Sequence, residues 1–157
     1  MRIDTSGVIV RCKGCGQANR LAFELLNRTT RCGQCKAALA APDAPIEVSN
    51  GLAFDAAATR SALPLLVDFW APWCAPCRML APEIERVAQA SVGRYLVVKV
   101  NSDTVPDVAA RFTIRSIPTL ALVFGGRELG RMTGVRSASD IEAFAARTIA
   151  AATPRAS

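Results

Sequence analysis

Six cysteines fall into three Cys-x-x-Cys pairs: Cys12 and Cys15 (CKGC), Cys32 and Cys35 (CGQC), and Cys74 and Cys77 (CAPC). The chain of 157 residues has no histidine. Two sulfurs three positions apart can share a metal ion or exchange electrons as a dithiol, so context must sort the pairs. The missing histidine narrows the field, because Cys-His nucleophiles, Cys2His2 fingers and imidazole bases are excluded. Any metal site must use Cys, Asp or Glu.

The first four cysteines form C-x2-C-x16-C-x2-C, a spacing expected of a four-thiolate zinc site. A tight turn aims both sulfurs of a pair at one ion, and Gly14, Gly16 and Gly33 are expected to let the backbone fold around it. Roughly 40 residues bury too little apolar surface to fold unaided, so the ion is expected to replace a core. Four protein ligands leave no open position, which makes the site structural. Two disulfides, or iron in the same ligand set, are the alternatives.

The composition, 51% hydrophobic and 20% charged, is that of a globular protein. No apolar run approaches the ~18 residues of a membrane span. The start, MRIDTSGVIVRC, carries Asp4 and no apolar leader core, which predicts a protein of the reducing cytoplasm, where structural disulfides are rare. Net charge is +6; residues 1–45 hold seven Lys or Arg against three Asp or Glu, and the remainder twelve against ten. Four thiolates and one divalent cation contribute −2, cutting the N-terminal surplus to about +2. With Phe23 as its one aromatic, this region offers nucleic acid no stacking platform.

Residues 1–40 read as a cysteine module, 41–46 (APDAPI) as a linker, 47–152 as an α/β domain, and 153–157 as a flexible tail. PLLVDFWA (64–71) reads as a buried strand and YLVVKVNS (95–102) as another. PTLALVFGGREL (118–129) reads as a strand, a Gly-Gly turn and a further strand. Residues 74–90 have Met79, Leu80, Ile84, Val87 and Ala88 at helical spacing, with a bend expected at Pro82; 105–112 are also helical. A final helix over 137–152 places Ile141, Phe144, Ala145 and Ile149 on one face.

Cys74 and Cys77 therefore follow a strand and open a helix, with no further pair nearby to complete a metal site. Pro76 suits a first helical turn. The helix N-terminus stabilises a Cys74 thiolate, while Cys77, one turn later, is expected to be the more buried and to resolve a mixed disulfide. This is the redox pair. Asp68 interrupts an apolar run, which is costly unless it sits at an exposed strand end or has a task. Lys99 breaks the next strand in the same way, as a solvent-facing residue or a charge partner. Trp70 and Trp73 read equally as core, and Arg78 either as a thiolate-stabilising cation or as a solvated helix residue.

VDFWAPWCAPCRMLAP resembles the active-site segment of thioredoxins, and IRSIPTLALVF resembles the segment carrying their cis-proline. The likeness covers residues 47–150 in motif order, and the preceding cysteine knuckles point to the zinc-containing bacterial branch, the thioredoxin 2 type. The resemblance implies a thioredoxin fold, a central mixed sheet flanked by helices, with a small N-terminal zinc ribbon. It implies a raised pKa for Asp68 behind Cys77, Lys99 as its partner, and Pro118 in cis. Trp73, Ala75, Pro76, Ile117, Gly134 and Val135 would form the docking surface, with Trp70 packed beneath. Ala75 stands where the family usually has Gly, a departure expected to tune the redox poise.

The implied activity is reduction of disulfides in target proteins by a monomer that a flavin- and NADPH-dependent thioredoxin reductase resets, with zinc as the only cofactor in the chain. A net oxidant or isomerase is a second reading, and needs an oxidising compartment. A third makes the ribbon a docking module for protein or nucleic acid, with the redox domain as passenger. The ribbon is also open to a role in partner choice or in oxidation sensing by zinc release.

Overall fold

The computed structural model describes residues 1–152; the expected tail, 153–157, lies outside the described residues. Strands β1 (Arg2–Ile3), β2 (Gly7–Arg11) and β3 (Ala18–Ala22) form an antiparallel sheet in the order β1-β2-β3, followed by a 3-10 turn at Phe23–Leu25. The chain then runs through β4 (Ile46–Val48), α1 (Gly51–Arg60), β5 (Leu65–Trp70), α2 (Ala75–Ala90), β6 (Leu96–Asn101), α3 (Pro106–Arg111), β7 (Thr119–Phe124), β8 (Arg127–Thr133) and α4 (Ala138–Ala152). The second sheet has the order β4-β6-β5-β7-β8. Its first three strands are parallel and its last two pair antiparallel, which makes it mixed.

Period-two alternation along the strands sorts the core into two layers. Val67 and Phe69 of β5 pack with Val98 and Val100 of β6 against Phe54 and Ala57 of α1 and Val108 of α3. Leu66, Val97, Leu120 and Leu122 point the other way, onto Leu80, Ile84 and Val87 of α2 and Ile141 and Ala145 of α4. Asp68 and Trp70, two and four positions beyond Leu66, share this α2-facing side. Gly125 (φ 61°) and Gly126 (φ 80°) make the left-handed turn between β7 and β8, matching strand twist.

Several expectations change. Met79 is 67% exposed, so the buried face of α2 starts at Cys77 and continues through Leu80. Pro82 lies within the expected helix, α2, which runs from Ala75 to Ala90. Ile46, read as the end of the linker, is the buried first residue of β4. Helix α1 had no strong signal because four of its ten residues are alanine, and its cap is Asn50, whose Oδ1 accepts from Ala53 N at 2.9 Å.

The N-terminal module is also not a shell around an ion alone. Ile3, Val8, Val10, Leu21, Phe23 and Leu26 belong to the same buried cluster as Phe54 and Ala57. Phe23 is fully buried, Ala62 N donates to its carbonyl at 3.0 Å, and the Arg60 guanidinium lies 5.6 Å over its ring. Arg60 also pairs with Glu24 at 2.7 Å and donates to the Thr5 carbonyl at 3.0 Å. The module thus borrows a core from the larger sheet.

Candidate active site and metal centre

Cys74 is the N-cap of α2, and its sulfur accepts from the Cys77 N–H at 3.2 Å. Ala75 and Pro76 fill the first turn, so proline sits where its missing N–H breaks no helical bond. Cys74 and Cys77 form a disulfide with Cα atoms 5.3 Å apart. Both are buried, at 4% and 5% exposure, so Cys77 is not the more buried of the two. Ala71 completes their small cluster, with Trp70 and Ile117 packed against it.

The Ile117–Pro118 peptide is cis, as expected. The Ile117 carbonyl oxygen lies 3.8 Å from Cys74 Sγ, at the entry to β7. Exposed Trp73, Ala75, Pro76, Gly134 and Val135 complete the predicted surface set. Gly134 adopts φ 85°, and its N–H donates to the Pro118 carbonyl at 3.0 Å, tying the two loops together. The Trp73 indole N–H donates to Asp103 at 3.3 Å, a partner the sequence did not suggest. Arg78 donates to the Pro72 carbonyl at 2.8 Å, bracing the loop before the dithiol.

Asp68 is 3% exposed, and among the described residues its Oδ1 has no hydrogen-bond partner. Burial pushes its carboxyl up to about 7, against the attraction of Lys99 and with repulsion from Glu47. Lys99 stands opposite Asp68 in the β5–β6 register. Its Nζ lies 4.4 Å over the Trp70 ring centroid, and among the described residues it closes no ion pair. Glu47, absent from the sequence reading, is opposite Lys99 on β4.

The four N-terminal sulfurs all lie within 4.8 Å of one another. Cys12–Cys35 and Cys15–Cys32 are each 3.6 Å apart. A tetrahedral zinc with sulfurs at ~2.3 Å needs edges of about 3.8 Å, so this donor set fits one ion. The two knuckles repeat the same geometry. Gly16 and Lys36 N–H groups donate to the Cys12 and Cys32 carbonyls at 2.8 and 3.0 Å. Arg11 and Arg31 each donate to the carbonyl after a knuckle, Gly16 and Lys36, at 3.1 Å.

Glycine was expected to shape both turns, but only the first has it at the left-handed position, Gly16 at φ 77°; the second uses Lys36 at φ 64°. Asn19 of β3 clasps the second knuckle: its Nδ2 donates to Cys32 Sγ at 3.4 Å, and its Oδ1 accepts from Gly33 N at 3.0 Å. The Cys35 backbone N–H, then Asn19, hold the Cys32 thiol down to about 6, whereas the Cys15 thiol beside it is pushed up to about 11.

The thioredoxin family model matches residues 45–147. The chain belongs to the thioredoxin family. It is 41% identical over 128 residues to thioredoxin C-3 of Corynebacterium nephridii, covering 81% of this chain and 86% of that one. That alignment is longer than the family match, so likeness extends beyond the span 45–147. It is also 53% identical over 74 residues to thioredoxin 1 of Nostoc sp., covering 47% of this chain and 69% of the relative. Among solved structures, a mutant thioredoxin from Halobacterium salinarum is similar at TM-score 0.61 and 27% identity, over 74% of this chain and 96% of that one. As a member of the family the protein is a thiol-disulfide oxidoreductase acting by dithiol-disulfide exchange, with Cys74 and Cys77 as its redox pair. No helix among the described residues is long and apolar enough to cross a membrane.

Proposed function

We propose that this chain reduces protein disulfides through Cys74 as nucleophile and Cys77 as resolving thiol. The observation that carries the assignment is Cys74 Sγ at the start of α2, facing the Ile117 carbonyl at the cis-proline. The Cys74 thiolate attacks one sulfur of the target disulfide, forming a mixed disulfide and releasing one target thiolate. Asp68 takes the Cys77 proton, and Cys77 then attacks Cys74 Sγ. The second target thiol leaves, and two electrons have passed to the target as the Cys74–Cys77 disulfide forms.

Trp73, Ala75, Pro76, Gly134 and Val135 form the surface on which the target docks, and the Ile117 backbone pairs with an extended target segment. Lys99 tempers the carboxylate charge of Asp68. A flavin- and NADPH-dependent thioredoxin reductase supplies the electrons that restore the dithiol, within cytoplasmic electron transport. Residues 1–40 act as a ribbon of the thioredoxin 2 type, 41–46 as a linker and 47–152 as the catalytic domain. Zinc held by Cys12, Cys15, Cys32 and Cys35 crosslinks the ribbon and takes no part in electron transfer; the fit of the four sulfurs supports this reading.

Insulin-disulfide reduction tests the assignment. Cys74→Ser should abolish turnover, and Cys77→Ser should accumulate mixed disulfides with the target. Full activity in Cys74→Ser would overturn it. Metal analysis of protein purified without added zinc should give one zinc per chain, and reduced, metal-free protein would refute the ribbon assignment.

A further inference from the structure

Three charged side chains lie in one register row across three parallel strands: Glu47 on β4, Lys99 on β6 and Asp68 on β5. Exposure falls along the row, from exposed Glu47 through half-buried Lys99 to buried Asp68. One ammonium therefore stands between two carboxylates, and it rests over the Trp70 ring without closing an ion pair to either. Asp68 Oδ1 is left with no hydrogen bond among the described residues. A buried carboxylate with an ammonium to itself would be drawn into a fixed ion pair, and would then be a poor proton acceptor.

We propose that Glu47 is a positioning residue for the dithiol chemistry: by sharing the Lys99 charge with Asp68, it leaves Asp68 free to take and release the Cys77 proton. The inference rests on the reading of Asp68 as the base for Cys77. Among the described residues, other elements around the row add no further charge to Asp68. Strand β7 places Leu120 opposite it, and α2 and α4 cover this face with Leu80, Ile84, Ile141 and Ala145. Among the described residues, Lys99 and Glu47 are the two charges that act on Asp68, and Lys99 is the charge that acts on Glu47. Burial raises the Glu47 carboxyl, and the Lys99 charge, then the Trp70 indole, oppose it.

The test follows the Asp68 carboxyl by 13C NMR in the oxidised full chain, where Cys74 and Cys77 do not titrate. Two strand spacings separate the carboxylates by ~10 Å, so Glu47→Gln should lower the Asp68 midpoint by about 0.3 to 1 pH unit. Lys99→Met should raise it, and Glu47→Asp should restore most of the wild-type value. In the reduced protein, the pH profile of the Cys77 resolving step should move with the Asp68 midpoint in Glu47→Gln. An Asp68 midpoint within about 0.1 unit of wild type in Glu47→Gln would overturn the role of Glu47. If Asp68→Asn leaves the pH profile of the resolving step unchanged, the reading of Asp68 as base fails instead, whatever Glu47→Gln does to the titration.

Discussion

Replacing Asp68 with Asn should change how stability depends on pH. In the folded protein the carboxyl is 3% exposed and is pushed, chiefly by burial, from the ordinary 3.8 to about 7. The unfolded chain gives up this proton near the lower value while the folded chain keeps it. The stabilisation is therefore complete below 3.8 and is lost as pH rises through about 7. About three pH units at 1.36 kcal/mol each amount to about 4 kcal/mol. Roughly two-thirds of this falls between about pH 5 and about pH 8.5. The amide of the variant does not titrate, and its burial contributes a pH-independent offset of about 1–3 kcal/mol that cancels in the comparison. Urea unfolding of both oxidised, metal-bound proteins across that range is the assay. The difference in stability should shift in favour of Asp68→Asn by about 2–3 kcal/mol as pH rises. A difference that is flat with pH, or that shifts in favour of the wild type as pH rises, would refute the reasoning.

Phe23→Ala should cost about 3–5 kcal/mol and leave one cooperative transition, because Phe23 lies in the core shared with α1; a second transition at the wild-type midpoint would count against a shared core. Asn19→Ala should weaken metal retention about 10- to 100-fold in a chelator competition, since it loses the donor to Cys32 and the clasp on Gly33; unchanged retention would show that Asn19 is only packing. Lys36→Gly should raise the denaturation midpoint by about 1 kcal/mol equivalent, because φ 64° is costly for any residue with a Cβ; a lowered midpoint would contradict this.

Local chemistry was the legible part. The strands at 65–70, 96–101 and 119–124 and the helices holding Cys77 and Ile141 announce themselves by apolar period, and the cysteine spacings announce the two kinds of site. Helix α1 and strands β1 to β3 did not, because alanine and short, interrupted runs carry little periodic signal. Met79 looked like a core residue because its spacing matches Leu80 and Ile84 loosely, and only the packing of α2 against the sheet separates them. Asn19 and Lys36 are ordinary residues in the sequence; one becomes a clasp and the other a strained turn only once the second knuckle folds back beside the first.

By itself the sequence determined which sulfurs have metal spacing, which pair opens a helix, and that imidazole chemistry is absent, since these depend on residue type and short-range spacing. The tertiary structure decided the long-range matters: that the ribbon leans on Phe54 and Ala57 for its core, and that Glu47, 21 positions before Asp68 in the chain, shares a lysine with it. Strand register and sheet order create those neighbours, and no local pattern encodes which strand will lie beside which.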